Sequence, residues 1–423
     1  MAYHDLRWNS LLFGLAWVPT SEGVKNFLQV EFAKEKRDEM LALNPNMIFI
    51  VSMNYQAEHP DKYPEDWPYW LRDEFGNRIE VDGEPLLIDF TLPEPQNQIV
   101  QRAVAIAKCG LYDGIFLDWW AEWWHDDPTH RYYANDVGES SVEMLRRIRE
   151  SVDEVREDFL IIANTLRSKA PHSAPYLNGT FMEALPGYTH EDLAEVESTL
   201  LWSEQHFQQP LINCLEGWSE KTQPLDSPKN QQWMRLFTTM SLTHSNGYVS
   251  LATTLTANHT HLYELLPGHS ETHAQGIRHE HAHQHFWYPF YEAPLGRPVG
   301  GDEAKGQLYE NREGLFIREF TNGWAVYNRS EKEQTIEFSE AVSGVASGIE
   351  NQRSHVLPDL DGEIYLKSES VLEIPPTTDV NGDGVVNVLD LVLVANAIGE
   401  KSPDLNGDGV INILDLVIVA NAF

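Results

Sequence analysis

Eight short apolar runs between residues 11 and 252 limit the folds that this chain can adopt. None of them exceeds nine residues, and each is almost continuously apolar, as in strands buried on both faces. Segments with helical periodicity separate most of the runs, and this alternation predicts right-handed β/α crossovers. Eight such repeats predict a (β/α)8 TIM barrel. The runs, in chain order, are "LLFGLAWVP", "MIFIVSMNY", "PLLIDFT", "GIFLDWW", "FLIIANT", "GTFMEAL", "PLINCLEG" and "GYVSLAT".

An open, doubly wound sheet is the alternative arrangement of the same elements. The nucleotide-binding form of such a sheet carries a glycine-rich GxGxxG or GxxxxGK turn after a strand. No such turn follows any of the eight runs. The sequence therefore favours the barrel.

Ionisable and amide side chains end several of the predicted strands. In a (β/α)8 barrel the chemistry lies at the carboxyl ends of the strands. Carboxylates that converge on one rim repel each other and lose hydration, and this cost indicates a function. The strand-end residues are Asp89 (third run), Asp118 (fourth), Asn164 followed by Arg167 (fifth), Glu183 (sixth) and Glu216 (seventh).

Tryptophans crowd the segment after the fourth run and recur in other predicted loops. Sugar rings expose apolar C–H faces that pack on indole rings, and apolar surroundings favour a protonated carboxylic acid. Glycoside hydrolysis needs two carboxyl groups, one ionised and one protonated, and no cofactor. The pattern therefore favours a carbohydrate cleft. The tryptophans are Trp67, Trp70, Trp119, Trp120, Trp123, Trp124 and Trp218.

The texture of the sequence changes beyond residue 300. Alternating apolar and polar residues predict a small antiparallel β-sandwich there, and "PPTT" predicts a stiff linker. We therefore expect a barrel at 1–298, a β-sandwich at 299–374, a linker at 375–378 and a terminal module at 379–423.

The terminal module contains "DVNGDGVVNVLD" and its near-copy "DLNGDGVINILD", 25 residues apart. Both follow the oxygen-ligand order of an EF-hand-like calcium loop, with Asp in place of Glu at loop position 12. Two calcium ions are therefore expected. The predicted ligands are Asp379, Asn381, Asp383, the Val385 carbonyl, Asn387 and Asp390, then Asp404, Asn406, Asp408, the Val410 carbonyl, Asn412 and Asp415.

This duplicated unit resembles the dockerin module of secreted polysaccharide-degrading enzymes. The resemblance implies a calcium-folded module, a cohesin-like protein partner for residues 379–423, and an extracellular or cell-surface location. Dockerins often carry hydroxyl residues at loop positions 10 and 11, whereas these loops have Val388, Leu389, Ile413 and Leu414. The partner surface is therefore expected to be apolar.

The segments "LLIDFTLPEPQNQIVQRAVAIAKCGLYDGIFLDWW", "NGTFMEAL" and "REFTNGWAVYNRS" resemble the hypothetical glycoside-hydrolase-like barrel families of bacteria. These families are distantly related to the α-amylase and α-galactosidase superfamily. The resemblance implies retention at an α-linked bond, with Asp118 as nucleophile after strand four. The α-galactosidase-like branch makes Glu183 the acid/base, and Glu216 is the rival. The expected substrate contacts are Asp89, Trp119, Trp120, Asn164, Arg167, Glu216 and Trp218.

Structural roles are the alternatives for several of these residues. Asp118 could cap the following helix, Glu183 could pair with Arg167, and Asp89 could be a turn residue. At the level of function, the alternative is a non-catalytic carbohydrate-binding or scaffold component that docks through its terminal module.

A histidine-rich segment at 268–290 invites a metal-binding interpretation. His279, His281, His283 and His285 alternate and would share one face of a strand, but no acid or cysteine lies at clean ligand spacing. We therefore expect a polar loop at the cleft rim, and a metal-dependent lyase or deacetylase as the weaker alternative. Cys109 and Cys214 are expected to be buried free thiols.

The net charge of −35 argues against nucleic acid and anionic membranes as partners. No run of 18 apolar residues suggests a membrane span. The first 20 residues lack the basic and uninterrupted apolar regions of a signal peptide, so export is expected from the module type alone. The sequence thus predicts a secreted glycoside hydrolase without a catalytic cofactor.

Overall fold

Seven parallel strands form a nearly closed barrel in the computed structural model, which confirms the predicted TIM-barrel fold class. The strands pair in the order β1, β4, β7, β8, β9, β10 and β11, and β12 (His283–His285) adds to β11 in the antiparallel sense. The seven are β1 (Leu6–Trp8), β4 (Ile48–Ser52), β7 (Gly114–Leu117), β8 (Leu160–Asn164), β9 (Gly179–Ala184), β10 (Cys214–Trp218) and β11 (Tyr248–Thr254). The structure describes residues 5–8, 15–17, 24–26, 30–81, 85–120, 122, 128–220, 222–254, 283–285, 287–367, 378, 380, 386, 388–399, 405 and 410–420.

Among the residues that the structure describes, five helices connect these strands: α1 (Val30–Leu43), α2 (Pro93–Cys109), α3 (Val137–Asp153), α4 (His190–His206) and α5 (Pro228–His244). Local sequence explains their ends. The Thr189 hydroxyl and the Asp192 carboxylate form a capping box at the start of α4, and Ser227 caps α5. Gly110 ends α2 in the left-handed conformation that glycine tolerates. The connection from β8 to β9 is fully described and contains one short 3-10 helix, Ala174–Tyr176, in place of an α-helix.

An apolar cluster with members from all seven parallel strands fills the barrel. Gly114 belongs to the same inward-facing rows, because a β-carbon there would lie 2.4 Å from the Leu160 carbonyl oxygen and 2.9 Å from Ile50 Cδ1. The cluster defines which side chains of each strand point into the barrel. Its members are Leu6, Ile48, Ile50, Phe116, Leu160, Ile162, Phe181, Ile212, Cys214 and Tyr248.

Two predicted barrel strands lie elsewhere. The run "PLLIDFT" supplies β6 (Leu86–Leu87), which pairs antiparallel with β5 (Ala57–Glu58) in a small sheet after β4. The run "LLFGLAWVP" supplies β2 (Leu15–Trp17), which pairs antiparallel with β3 (Val24–Asn26), and the first barrel strand is the shorter β1. Both predictions were wrong, since short apolar runs do not distinguish parallel barrel strands from antiparallel strands outside the barrel. Asp118 therefore follows the third parallel strand, and Glu183 belongs to the fifth.

A five-stranded antiparallel sheet follows the barrel, in the order β13, β14, β17, β15, β16. The described strands form one continuous sheet rather than the two separate sheets of a sandwich. It shares an apolar core with α5, through Phe316, Phe320 and Tyr327 among others. The strands are β13 (Leu315–Phe320), β14 (Gly323–Asn328), β15 (Gln334–Gly344), β16 (Gln352–Leu357) and β17 (Asp361–Lys367).

Two arginines, the partly buried Arg235 and the buried Arg318, bind this sheet to the barrel. Arg235 of α5 binds both carboxylate oxygens of Asp361, with Nε–Oδ1 and Nη2–Oδ2 distances of 2.8 and 2.7 Å. Arg318 of β13 donates from Nη1 to the carbonyls of Leu242 and Ser245, each at 2.9 Å, at the carboxyl end of α5. These carbonyls have no partner within the helix, so the guanidinium satisfies them.

The terminal segment contains α6 (Val388–Asn396) and α7 (Ile413–Ala420), which pack around Val394, Leu405, Ile411 and Val419. Among the described helices, none combines the length and the apolar character that crossing a membrane requires.

Candidate active site at the carboxyl end of the barrel

The acids predicted at the strand ends share the inward-facing rows of the barrel. Side chains of a strand alternate between its two faces, so a residue two positions beyond an interior residue also points inward. Asp118 stands two positions after Phe116, and Asn164, Glu183 and Glu216 stand two positions after Ile162, Phe181 and Cys214. The fold therefore brings four predicted site residues to one rim.

Asp118 and Asn164 are directly hydrogen-bonded. The Asn164 side-chain amide donates from Nδ2 to Asp118 Oδ1 at 2.9 Å, and the Trp119 backbone N–H donates to the same oxygen at 2.9 Å. Asn164 is in turn held by the Leu166 N–H, which donates to Asn164 Oδ1 at 2.9 Å. Asp118 is partly exposed, whereas Asn164 is buried. Two N–H donors favour the ionised form of the Asp118 carboxylate.

Trp119 adopts an unusual backbone conformation beside Asp118. Its φ is 52°, in the left-handed region that costs a bulky residue on the order of 1–3 kcal/mol. Its carbonyl accepts hydrogen bonds from the Tyr55 hydroxyl at 2.7 Å and from Gln56 Nε2 at 2.8 Å. Trp119 is 47% exposed, so this residue is accessible at the rim.

Glu183 and Glu216 are direct neighbours in the sheet. They face each other in the register of β9 and β10, and Ser250 of β11 continues the row. Ser250 Oγ lies 3.4 Å from Glu216 Oε1 and donates to it. Glu216 is only 1% exposed, whereas Glu183 is partly exposed. Burial, and then the Glu216 charge, raise the pKa of the Cys214 thiol, which therefore stays protonated.

Arg167 binds acids other than the one considered from the sequence. It forms ion pairs with Asp192 and Glu195 of α4 and lies over the Tyr188 ring, and the Arg167–Glu183 pair, which was the structural alternative, is not formed. The Tyr188 hydroxyl donates to the Glu183 carbonyl at 3.0 Å. Burial raises the pKa of Tyr188, which keeps this donor protonated. Arg167 thus contributes to the rim behind Glu183.

Trp120 is fully buried in the structure, and its contact with substrate stays a prediction. Its Nε1 donates to Ser173 Oγ at 2.8 Å, which anchors the loop after β7 to the loop after β8. Trp70 is also buried, with its Nε1 on the Pro64 carbonyl. Trp218 lies on the inward side two positions after Glu216 and is largely buried, whereas Trp123 and Trp124 fall outside the described residues.

Asp89 is a buried turn residue, which was the structural alternative. Its Oδ1 accepts from the Thr91 N–H, and its Oδ2 accepts from the Ala134 N–H at 3.0 Å. Backbone donors occupy both carboxylate oxygens, so Asp89 supports the loops of the rim, and its contact with substrate stays a prediction.

Three further residues of the rim did not emerge from the sequence. Glu122 accepts from the N–H groups of His172 and Ser173, at 2.7 and 2.9 Å, and so joins the loops after β7 and β8. Tyr55, in the loop after β4, and Ser250, on β11, also contact the site. Of these three residues, only Ser250 could have been recognised from the sequence, because it is a polar residue at an inward-facing position of an apolar strand.

The terminal loops retain the features of a cation site where the structure describes them. Asp390 and Asp415, both at loop position 12, are completely buried. Asp415 accepts from the N–H groups of Leu405 and Asn412, at 2.7 and 2.8 Å. Carboxylates withdrawn from water need positive partners, so these residues fit calcium. Val410 and Asn412 are also described, whereas Asp379, Asn381, Asp383, Val385, Asn387, Asp404, Asn406 and Asp408 lie outside the described residues.

The histidine-rich segment is described only at β12, where His283 and His285 pair with Thr254 and Ala252 of β11. His279 and His281 fall outside the described residues, so the metal-binding interpretation stays a prediction.

Two family descriptions match the chain. Residues 46–324 match hypothetical glycosyl hydrolase family 15 (GHL15), and residues 377–423 match the dockerin type I domain. Dockerin type I domains bind calcium, which supports this ion for the terminal loops. No curated protein matches the chain.

Several solved structures are similar at low identity. The α-amylase of Geobacillus thermoleovorans is 13% identical over 86% of this chain and 88% of its own, with a TM-score of 0.46. Eubacterium rectale Amy13B is 13% identical over 86% and 88%, with a TM-score of 0.47. The glycoside hydrolase domain of Pseudomonas aeruginosa PelA is 10% identical over 52% and 81%, with a TM-score of 0.34. Similarities this distant carry no argument about substrate or mechanism.

Proposed function

This chain belongs to hypothetical glycosyl hydrolase family 15, and we propose that it is a secreted retaining enzyme that cleaves an α-linked bond in an oligo- or polysaccharide. One observation carries the proposal. Asp118 and Glu183, both partly exposed, lie on the inward rows of strands that are two apart in the barrel. At about 4.8 Å per strand spacing their backbones are roughly 10 Å apart, and inward-pointing side chains converge from there.

The surroundings of the two carboxyl groups suggest different roles. Asp118 accepts two N–H donors through Oδ1, so it is the ionised nucleophile that attacks the anomeric carbon. Glu183 faces Glu216 across β9 and β10 and is the partly exposed member of the pair. Glu183 can therefore reach the substrate, and as general acid it delivers a proton to the leaving oxygen. Glu183 then takes a proton from water, which hydrolyses the glycosyl–Asp118 ester.

Substrate contacts follow from exposure. The Trp119 indole offers an apolar face next to Asp118, and Asn164 holds the nucleophile in place. Glu216 supports Glu183 from the neighbouring strand and is too deeply buried to touch a sugar.

The decisive experiment replaces Asp118 by its neutral isostere. Asp118→Asn keeps the size of the side chain but removes the nucleophile, so turnover should fall at least 1,000-fold, roughly the loss typical of a catalytic group. The measurement is reducing-end release from a panel of polysaccharides, followed by NMR of the first anomer formed. The matched control is Asp158→Asn, an exposed acid at the opposite end of the barrel, which should retain full turnover.

Full turnover in Asp118→Asn would remove Asp118 from the mechanism. An inverted first product would replace the nucleophile role with that of a general base. If the wild-type chain binds glycans but releases no reducing ends, the protein is a carbohydrate-binding component instead.

The dockerin type I domain suggests where the enzyme works. We propose that residues 379–423 bind two calcium ions and dock onto a cohesin-like protein outside the cell. The exposed Val388 and Leu389 of the first repeat correspond to Ile413 and Leu414 of the second, so the docking surface is apolar in both. Binding to a panel of cohesins by calorimetry, with calcium or with excess chelator, tests this. Binding that is equally strong without calcium would contradict it.

A further inference from the structure

The Trp119 peptide groups are hydrogen-bonded on both sides of the residue. Its N–H donates to the Asp118 carboxylate, and its carbonyl accepts from the Tyr55 hydroxyl and the Gln56 amide. Tyr55 and Gln56 follow β4, on the side of β7 opposite to Asn164. Asp118 is thus held from one neighbouring strand by Asn164 and, through Trp119, from the other.

The left-handed conformation of Trp119 makes these bonds necessary. At φ 52° a residue with a β-carbon is disfavoured, and a bulky one more so. If the carbonyl of Trp119 lost its donors, the residue would relax towards negative φ. The N–H bond to Asp118 Oδ1 would then break, and the carboxylate would lose its orientation.

We propose that Tyr55 is a positioning residue that acts on Asp118 through the left-handed turn at Trp119. The Tyr55 hydroxyl and Gln56 Nε2 hold the Trp119 carbonyl, and the turn aims the Asp118 carboxylate at the barrel mouth. The consequence for catalysis rests on the proposed function, whereas the effect on the turn does not.

Hydrogen exchange of the segment 118–120 tests the turn directly. Tyr55→Phe retains the ring that packs against Phe90 and Trp120 but removes the hydroxyl. The backbone amides of Trp119 and Trp120 should therefore exchange several times faster. Tyr63→Phe is the matched control, because its hydroxyl donates at 2.8 Å to Gln98 Oε1, away from the turn. Unchanged exchange in Tyr55→Phe, or equal changes in both variants, would overturn the proposal.

Kinetics test the consequence for catalysis. Loss of one neutral hydrogen bond predicts a fall in kcat of about threefold to tenfold for Tyr55→Phe, with KM unchanged and with no fall for Tyr63→Phe. Equal kcat values for the two variants would overturn the catalytic role. A wild-type chain that turns over no glycoside would defeat the proposed function alone, since the exchange comparison still decides the role of Tyr55.

A double substitution separates positioning from general packing. Glycine adopts positive φ without penalty, so Trp119→Gly removes the strain that the hydroxyl opposes. Tyr55→Phe should then accelerate exchange less in the Trp119→Gly background than in the wild type. An effect of the same size in both backgrounds would overturn the mechanism.

Discussion

Glu183 and Glu216 are neighbours in the sheet but differ in their exposure to solvent. They face each other across β9 and β10, yet only Glu183 reaches solvent. The sequence placed both at strand ends and did not separate them, because exposure depends on the loops that cover each strand. Our proposal of Glu183 as the acid/base rests on this difference in exposure.

We predict that Glu183→Gln slows hydrolysis in proportion to the basicity of the leaving group. Natural oligosaccharides need protonation, so their turnover should fall about 100- to 10,000-fold. Aryl glycosides with acidic phenols leave without a proton and should lose less, as kcat measurements with a series of phenols would show. Glu216→Gln, as the comparison, should affect all substrates alike. A leaving-group dependence that appears in Glu216→Gln instead would exchange the two roles.

At the scale of elements, two apolar runs that were predicted as barrel strands pair antiparallel outside the barrel. Leu86 and Leu87 pair antiparallel with β5 beside the barrel and are buried there, as they would be in a parallel strand. A run of this length has no periodicity that reports on its pairing partner. The strands with interior residues at alternate positions were predictable, and so were Asp118, Asn164, Glu183 and Glu216. Tyr55, Gln56 and Glu122 were not, since their contacts join segments far apart in the sequence.

A buried ion pair joins α4 to the segment that leads into the terminal sheet. Lys305 Nζ lies 2.5 Å from Glu204 Oε2, with both side chains almost inaccessible. Glu204 Oε1 also accepts from Asn213 Nδ2 and Ser245 Oγ, at 2.7 and 2.6 Å. These contacts lie at the end of the barrel opposite to the site.

We predict that Lys305→Met lowers the free energy of unfolding by about 3–5 kcal/mol, because Glu204 is left as a buried carboxylate without its cation. Denaturant titration measures the change. Lys36→Met removes an exposed pair with Glu39 and should cost less than about 1 kcal/mol. The double variant Lys305→Met/Glu204→Gln should recover part of the loss, and no recovery would mean that packing rather than charge is responsible.

At the scale of the whole molecule, His244 lies where the barrel meets the terminal sheet. His244 is the last residue of α5, and its ring contacts the Phe316 and Tyr327 rings edge-on. Nδ1 lies 3.2 Å from the Met240 carbonyl, to which it donates. Burial lowers the pKa of His244 to about 3, so the folded protein keeps this ring neutral.

This burial predicts a loss of stability in acid. Below the unfolded pKa of about 6.5 the unfolded chain binds a proton that the folded chain refuses, until the pH reaches about 3. As the pH falls across that window, His244 should therefore lower the free energy of unfolding by up to about 1.4 kcal/mol per pH unit. His244→Asn keeps a donor for Met240 but cannot be charged, so its urea midpoint should fall less between pH 6.5 and 4.5. Equal falls in both proteins would contradict the assignment.

Calcium should stabilise the terminal module independently of the barrel. Ligand that binds only the folded state raises stability with its free concentration, so chelation should lower one calorimetric transition and leave the barrel transition in place. Asp415→Asn removes a buried charge at the second loop and should weaken the calcium response. A barrel transition that also moves with calcium would contradict this independence.

The guanidinium of Arg318 sets a practical limit on how this protein can be divided. It belongs to β13 but completes the carboxyl end of α5, a barrel helix. A gene fragment that stops after β11 would leave those carbonyls and the apolar surface of α5 open to water. A fragment that is to be transferred to another scaffold should therefore end after Lys367, at the end of β17, so that it contains both the barrel and the terminal sheet.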